Sequence, residues 1–237
     1  MQHHLDHQPA YALLTVDLEA DEQLVAESGA MVSHTDGIAI ETGASGGLLG
    51  SLKRKAFGGE SFFMNTFTAE SSGHVKLAPA LPGDIVAQDL TDETLYVQSG
   101  SFMATQPDVD VDTKFGGARS FFAEEGLFLL ALSGTGRTFL SSYGAIDRID
   151  LDAGENYTVD TGHVVAFEDD VSWNVKRVGG LKSTLFSGEG FVCNFTGPGS
   201  VWTQSRSADA LLSWLAPRVA QNIPNGGGSN SGIEFDW

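Results

Sequence analysis

The chain has 237 residues, enough for one large domain or two small ones with a substantial core. Thirty-one acidic residues face thirteen basic ones, giving a formal net charge of −18 and a pI near 4.4. A surface of that sign repels phosphate backbones and anionic headgroups, which excludes broad nucleic-acid binding and leaves only a local basic patch to act on an anion. The acids are dispersed and lysine is scarce, a balance suited to concentrated salt, where charges more than a few Å apart are screened; this predicts a halophilic host. The single cysteine, Cys193, excludes an intramolecular disulfide. It alternates with apolar residues in Phe191–Phe195 and reads as a buried structural thiol.

Residues 1–10 are polar and read as a flexible tail. The cluster His3, His4, Asp6 and His7 is an incidental polar group in that reading, because a loose terminus lacks the supporting residues that orient metal ligands. The tail has no signal-peptide pattern, and no apolar run in the chain approaches the roughly 20 residues of a membrane-spanning helix. The expected location is the cytoplasm, with peripheral association at the inner face of the membrane as the alternative.

From Tyr11 the pattern is β. Short apolar or alternating runs end at Gly, Asp or Ser clusters, for example Tyr11–Leu18, Phe62–Thr68, Thr94–Gln98, Val109–Asp112, His163–Phe167 and Phe191–Thr196. Three elements recur in the same order. The first is Asp-Leu, Glu, an apolar alternation and a Ser/Thr-Gly corner: Asp17-Leu18 to Gly29, Asp89-Leu90 to Gly100, and Asp150-Leu151 to Gly162. The alternation puts Leu24 and Ala26, Leu95 and Val97, and Tyr157 and Val159 on one strand face in each copy. The second is a cation, a glycine pair and a serine: Lys55 to Ser61, Lys114 to Ser120 and Arg177 to Ser183. The third is a buried strand with a glycine turn after it. Gly100 and Gly162 stand 62 positions apart, Gly29 and Gly100 stand 71, and the surplus falls in the Gly46–Phe57 insertion. The chain therefore reads as one domain over 11–206, with copies at about 11–83, 84–145 and 146–206. Gly134-Thr135-Gly136 and Gly197-Pro198-Gly199 read as hairpin turns. Ser207 caps a short helix over 207–217, which Pro217 stops, and 218–237 is a Gly/Ser tether with an acidic, aromatic end.

The glycine-rich insertion followed by Gly58-Gly59-Glu60-Ser61-Phe62-Phe63, the Ser/Thr-Gly strand corners and the three-copy layout resemble the altered-inheritance-of-mitochondria family over about Leu13 to Ser205. The resemblance implies a compact β-sandwich or barrel-like scaffold of the tryptophan-RNA-binding-attenuator-like kind, with no catalytic residue to carry over. It also implies a link to inner-membrane organisation, since that is the association of the mitochondrial relatives.

Candidate chemistry is sparse. Ser45 sits in Gly43-Ala44-Ser45-Gly46-Gly47, which fits the letters of a nucleophile elbow but lacks the buried strand before it and the helix after it. His163, at a strand corner, reads as a satisfied structural histidine. Eight cations lie close to the repeated glycine pairs: Lys53, Arg54, Lys55, Lys114, Arg119, Lys176, Arg177 and Lys182. A pseudo-three-fold axis would gather them into a basic ring able to bind an anion, while pairing with nearby acids would leave an ordinary solvated face. Leu48, Leu49, Leu52 and Phe57 flank the cationic trio and suit a contact between subunits, a cover for the core or a short membrane-surface element.

The expectation is a mainly β, pseudo-three-fold domain with a short C-terminal helix. Its function is that of a non-catalytic scaffold or binding protein, self-associating through the insertion, with a trimer favoured. An anionic-ligand or membrane-surface module is the alternative. No cofactor, metal or nucleic-acid partner is expected, and the partner is a second copy, another protein or an anionic membrane surface.

Overall fold

The computed structural model describes residues 1–42, 64–112, 129–177 and 191–222. They form seventeen strands: β1 (Gln2–Asp6), β2 (Leu13–Leu18), β3 (Gln23–Glu27), β4 (Met31–His34), β5 (Ile38–Thr42), β6 (Met64–Ala69), β7 (Gly73–Leu77), β8 (Ile85–Gln98), β9 (Phe102–Thr105), β10 (Val109–Asp112), β11 (Leu129–Ser141), β12 (Ile146–Leu151), β13 (Asn156–Asp160), β14 (Val164–Glu168), β15 (Ser172–Arg177), β16 (Phe191–Thr196) and β17 (Gly199–Gln204). One helix, α1 (Ala208–Asn222), follows. The protein is mainly β.

Each repeat supplies six strand positions, here a to f. Positions a, f and c form one three-strand group, and d, e and b form another. In the first repeat these are β2, β7 and β4, and β5, β6 and β3. In the third they are β12, β17 and β14, and β15, β16 and β13. In the second, β8 runs through a and b as one 14-residue strand, and β11 runs through e and f.

The groups join across repeats by pairing b of one repeat with c of the next. β3 pairs with β9 through Val25↔Thr105 and Ala26↔Ala104. β8 pairs with β14 through Tyr96↔Phe167 and Val97↔Ala166. Aligned on Gly29, Gly100 and Gly162, the two junctions have the same register. The result is a long open sheet of order β12-β17-β14-β8-β11-β9-β3-β6-β5, flanked by the smaller sheets β1-β2-β7-β4 and β13-β16-β15. None of the three closes into a barrel, so the barrel-like expectation gives way to open sheets.

The alternation read from the sequence is the core. Leu24, Ala26, Leu95, Val97 and Val159 are all buried, in three apolar clusters that follow the repeats. The last cluster is aromatic, with Phe167 5.1 Å from Phe195 and 5.5 Å from Trp173, ring centre to ring centre, spacings suited to tilted contacts.

Four expectations need correction. Residues 1–10 are not a loose tail, since Gln2–Asp6 pairs along its length with Leu13–Asp17. Met1, His3 and Leu5 alternate toward the interior, and the Met1 ammonium donates to Glu22 Oε1 at 3.0 Å. Gly134-Thr135-Gly136 is not a hairpin but a bulge within β11, where the register to β8 shifts between Gly134 and Thr135. Gly197-Pro198-Gly199 joins β16 and β17, which lie in different sheets, so it is a corner. The helix does not stop at Pro217 but continues to Asn222. Its N-cap is as expected, with Ala210 N–H donating to Ser207 Oγ at 3.4 Å. No helix among the described residues is long and apolar enough to cross a membrane.

The starts of the repeats also touch. Ala12 N–H donates to the Gly83 carbonyl at 2.9 Å, Asp84 N–H to Gly144 at 3.0 Å, and Ser205 N–H to Ala145 at 3.0 Å. Gly83 is needed there because a Cβ would overlap the Ser142 backbone carbonyl. Gly83→Ala is expected to lower unfolding stability by about 2 kcal/mol or more, the scale of a backbone clash. Gly100→Ala meets only the adaptable Gln98 side chain and should stay within about 0.5 kcal/mol. Paired denaturant melts check both; equal stabilities would contradict this account of the repeat junction.

Candidate functional site

The most developed concavity is a cleft of about 320 Å³ beside the N-terminal strand, lined by residues that include His3, Asp89, Gln106, Arg137 and Phe139. β1 brings His3, β8 brings Asp89 and β11 brings Arg137 and Phe139. The Arg137 guanidinium grips Asp89 at two points, Nε to Oδ1 at 2.7 Å and Nη2 to Oδ2 at 2.8 Å. Arg137 hydrogen bonding holds the Asp89 carboxyl below its ordinary range. Arg137 Nη1 lies 3.2 Å from His3 Nδ1. A guanidinium can only donate, so His3 Nδ1 accepts and the ring proton sits on Nε2. Burial, and then the Arg137 charge, lowers the His3 pKa, which favours that neutral form. The ring stands edge-on to Phe139, with centroids 5.1 Å apart. The cleft's charged groups are thus spent on one another. This is a structural lock that ties β1 to the second repeat, and no nucleophile lies among its lining residues.

The sequence reading missed this cluster because its members are far apart in the chain and Arg137 stands outside the cation–glycine motif. The alternation Met1, His3, Leu5 was the available signal for β1. The predicted structural role of His163 is borne out: Nδ1 donates to the Gln204 carbonyl at 2.7 Å, and Gln204 Nε2 returns to the Gly162 carbonyl at 3.0 Å. Cys193 is buried, as expected, and burial pushes its thiol up to about 12, leaving it unreactive as a nucleophile. Among the described residues no group of three or more His, Cys, Asp or Glu could hold a metal.

Of the predicted basic residues, Lys176 and Arg177 are described. Both are exposed at the end of β15, with the Arg177 guanidinium 5.4 Å from the centre of the Phe191 ring. Lys53, Arg54, Lys55, Lys114, Arg119 and Lys182 lie outside the described residues, as do Ser45, Leu48, Leu49, Leu52 and Phe57. Their place in the chain is nonetheless regular. Segments 43–63, 113–128 and 178–190 each connect position d to position e of a repeat.

Exposed apolar side chains form a different set. On α1, Leu212, Trp214, Leu215 and Val219 are solvent-exposed, and on β4 and β13 so are Met31, Val32 and Tyr157. Scattered singly, such residues would need no explanation, but these are grouped.

Residues 3–206 match the sequence profile of the family described as mitochondrial biogenesis AIM24, and the chain belongs to that family. It is similar to an uncharacterised protein of Streptococcus pyogenes serotype M6, 29% identical over 223 residues, spanning 91% of this chain and 90% of the relative. It is also similar to a Streptococcus pyogenes protein of known crystal structure, with a TM-score of 0.76 and 28% identity over 92% of this chain and 99% of that one.

One buried carboxyl stands apart from the cleft. Glu27, at the end of β3, is pushed up to about 7 by burial alone, from an ordinary value of 4.5. Between those values the folded chain holds a proton that the unfolded chain has released, so stability falls as pH rises through this window and is lowest above it. Glu27→Gln should flatten that slope and stabilise the protein at pH 8 by ~1–3 kcal/mol. Thermal melts of both proteins from pH 4.5 to 8 in high salt check this; parallel pH profiles would contradict it.

Proposed function

We propose that this member of the AIM24 family is a non-catalytic scaffold or binding protein that works as an assembly of its own copies. The observation that carries this reading is the contrast between its cleft and its surface. The charged groups of the cleft satisfy one another, whereas large apolar side chains stay exposed on α1, β4 and β13, with Val32 at 55% and Trp214 at 56%. Apolar groups left in water in this way suit contacts with protein. The insertion residues Leu48, Leu49, Leu52 and Phe57 are further candidates for the contact, with a trimer favoured by the repeat number. The net charge of −18 fits a cytoplasmic protein of a halophile and disfavours nucleic acid as a partner.

A second reading is kept for one observation. Lys176 and Arg177 are exposed where β15 enters the 178–190 connection, and the equivalent connections of the other repeats carry Lys53, Arg54, Lys55, Lys114 and Arg119. With Lys182 these cations would bind an anionic ligand or membrane surface if they meet.

Light scattering after size-exclusion chromatography in high salt tests the leading reading. The wild type should run as a discrete oligomer, and removal of 48–57 should weaken it. A wild-type monomer at every concentration would overturn self-association. Flotation with anionic vesicles tests the second reading: binding should be lost when Lys53, Arg54 and Lys55 are changed to Ala, and a wild type that stays with the soluble fraction would sink it.

A further inference from the structure

Two of the three b–c junctions that the repeats could make are filled within the chain. The b strand of the third repeat, β13, and the c strand of the first, β4, are the unfilled halves of the remaining one. Among the described residues, β13 pairs only with β16 and β4 only with β7, so each presents an open sheet edge.

The burial of equivalent positions shows what is missing. Met31 and Val32 are 40% and 55% exposed, while their repeat mates Phe102, Met103, Val164 and Val165 are 0–1% exposed. Tyr157 is 40% exposed, while its mates Leu24 and Leu95 are 0% and 1%. The mates are covered because Met103 shares a core cluster with Leu24 and Ala26, and Val165 shares one with Leu95 and Val97. Val32 has no such partner, and Val159 is the corresponding core residue of β13.

The open c strand keeps the shape of the filled ones. The register of β4 to β7 shifts between Met31 and Ser33, as that of β14 to β17 shifts between Val164 and Ala166. In the second repeat, β9 skips Met103 against β11 in the same way. The edge is therefore already in the conformation that receives a b strand.

We propose that β13 of one copy pairs with β4 of the next, antiparallel and in the register of the internal junctions, so that copies join head to tail and complete a third composite sheet. The inference rests on the reading that the chain self-associates and assigns the surface. The register is specific: Val25↔Thr105 and Tyr96↔Phe167 correspond to Thr158↔His34, and Ala26↔Ala104 and Val97↔Ala166 correspond to Val159↔Ser33. Val32 and Tyr157 would then be covered as their repeat mates are. The two edges differ, so the contact is heterologous and forms a ring where the rotation closes and a filament where it does not. Backbone pairing supplies the attachment, and the apolar side chains supply the register.

Cysteine cross-linking tests this directly, because Cys193 is buried and gives no background. Chains carrying His34→Cys are mixed with chains carrying Thr158→Cys and oxidised, both positions being exposed. Opposed residues in a strand pair lie within disulfide reach, so a mixed covalent dimer should form at least about tenfold faster than with Asn156→Cys, whose site is about 7 Å out of register. The double variant His34→Cys/Thr158→Cys should give higher covalent multimers. No mixed dimer, or a double variant that forms only an intramolecular disulfide, would overturn the proposal. Val32→Asp, at an exposed site that should not disturb folding, is expected to leave a folded monomer by light scattering. If Val32→Asp remains assembled and only the 48–57 deletion dissociates, the assigned surface is wrong while self-association stands; a monomeric wild type defeats both.

Discussion

The structure depends on one interaction, the backbone pairing of position b in one repeat with position c in the next. A single repeat offers only two three-strand groups, each with an open edge and an apolar face. Neither group is independently stable on the usual scale for small sheets. Pairing Ala26 with Ala104, and Val97 with Ala166, merges them into larger sheets and brings Met103 and Val165 into the cores of their neighbours. The bulge at Gly134/Thr135 lets β11 pass from one group to the other without breaking, which is how the second repeat bonds to both sides. The same logic leaves the two ends of the chain unfinished. Short edge strands are one way proteins limit unwanted pairing, and β4 and β13 are only four and five residues long. They nonetheless carry apolar side chains that a purely protective edge would replace with charge.

The cleft beside β1 illustrates how a concave, charged feature can be structural. Arg137, Asp89 and His3 would look like a catalytic group if only their types and proximity were considered. Their geometry argues otherwise, since both guanidinium contacts to Asp89 and the remaining contact to His3 are internal. They fix the first strand, which no other repeat has, over Phe139 of the second repeat. The account of function therefore moves from the cleft to the edges and to the exposed face of α1.

Much of the fold was legible in the sequence because the repeat imposes it three times. The alternation Leu24/Ala26, Leu95/Val97 and Tyr157/Val159 marked position b, and the glycine after each marked the corner. The reason for that glycine was read less well. At Gly29 no side chain would clash, and the demand comes from a φ of +94°, a left-handed conformation that glycine adopts freely. β1 was lost because His and Gln are poor apolar markers, although Met1, His3 and Leu5 carried the period of two. Gly134-Thr135-Gly136 misled because bulges and hairpins use the same residues. Pairing between distant strands leaves no local trace, so neither the Arg137 cluster nor the open edges could be read without coordinates. Tyr157 looked equivalent to Leu24 and Leu95 in sequence, and only the structure separates its exposure from theirs.

Amide hydrogen exchange as a function of protein concentration tests the central claim most directly. If the b–c pairing continues between copies, amides of β4 and β13 should exchange more slowly as concentration rises, while those of β9 and β3, already paired within the chain, should not change. Exchange at β4 and β13 that is independent of concentration, whether fast or slow, would contradict it.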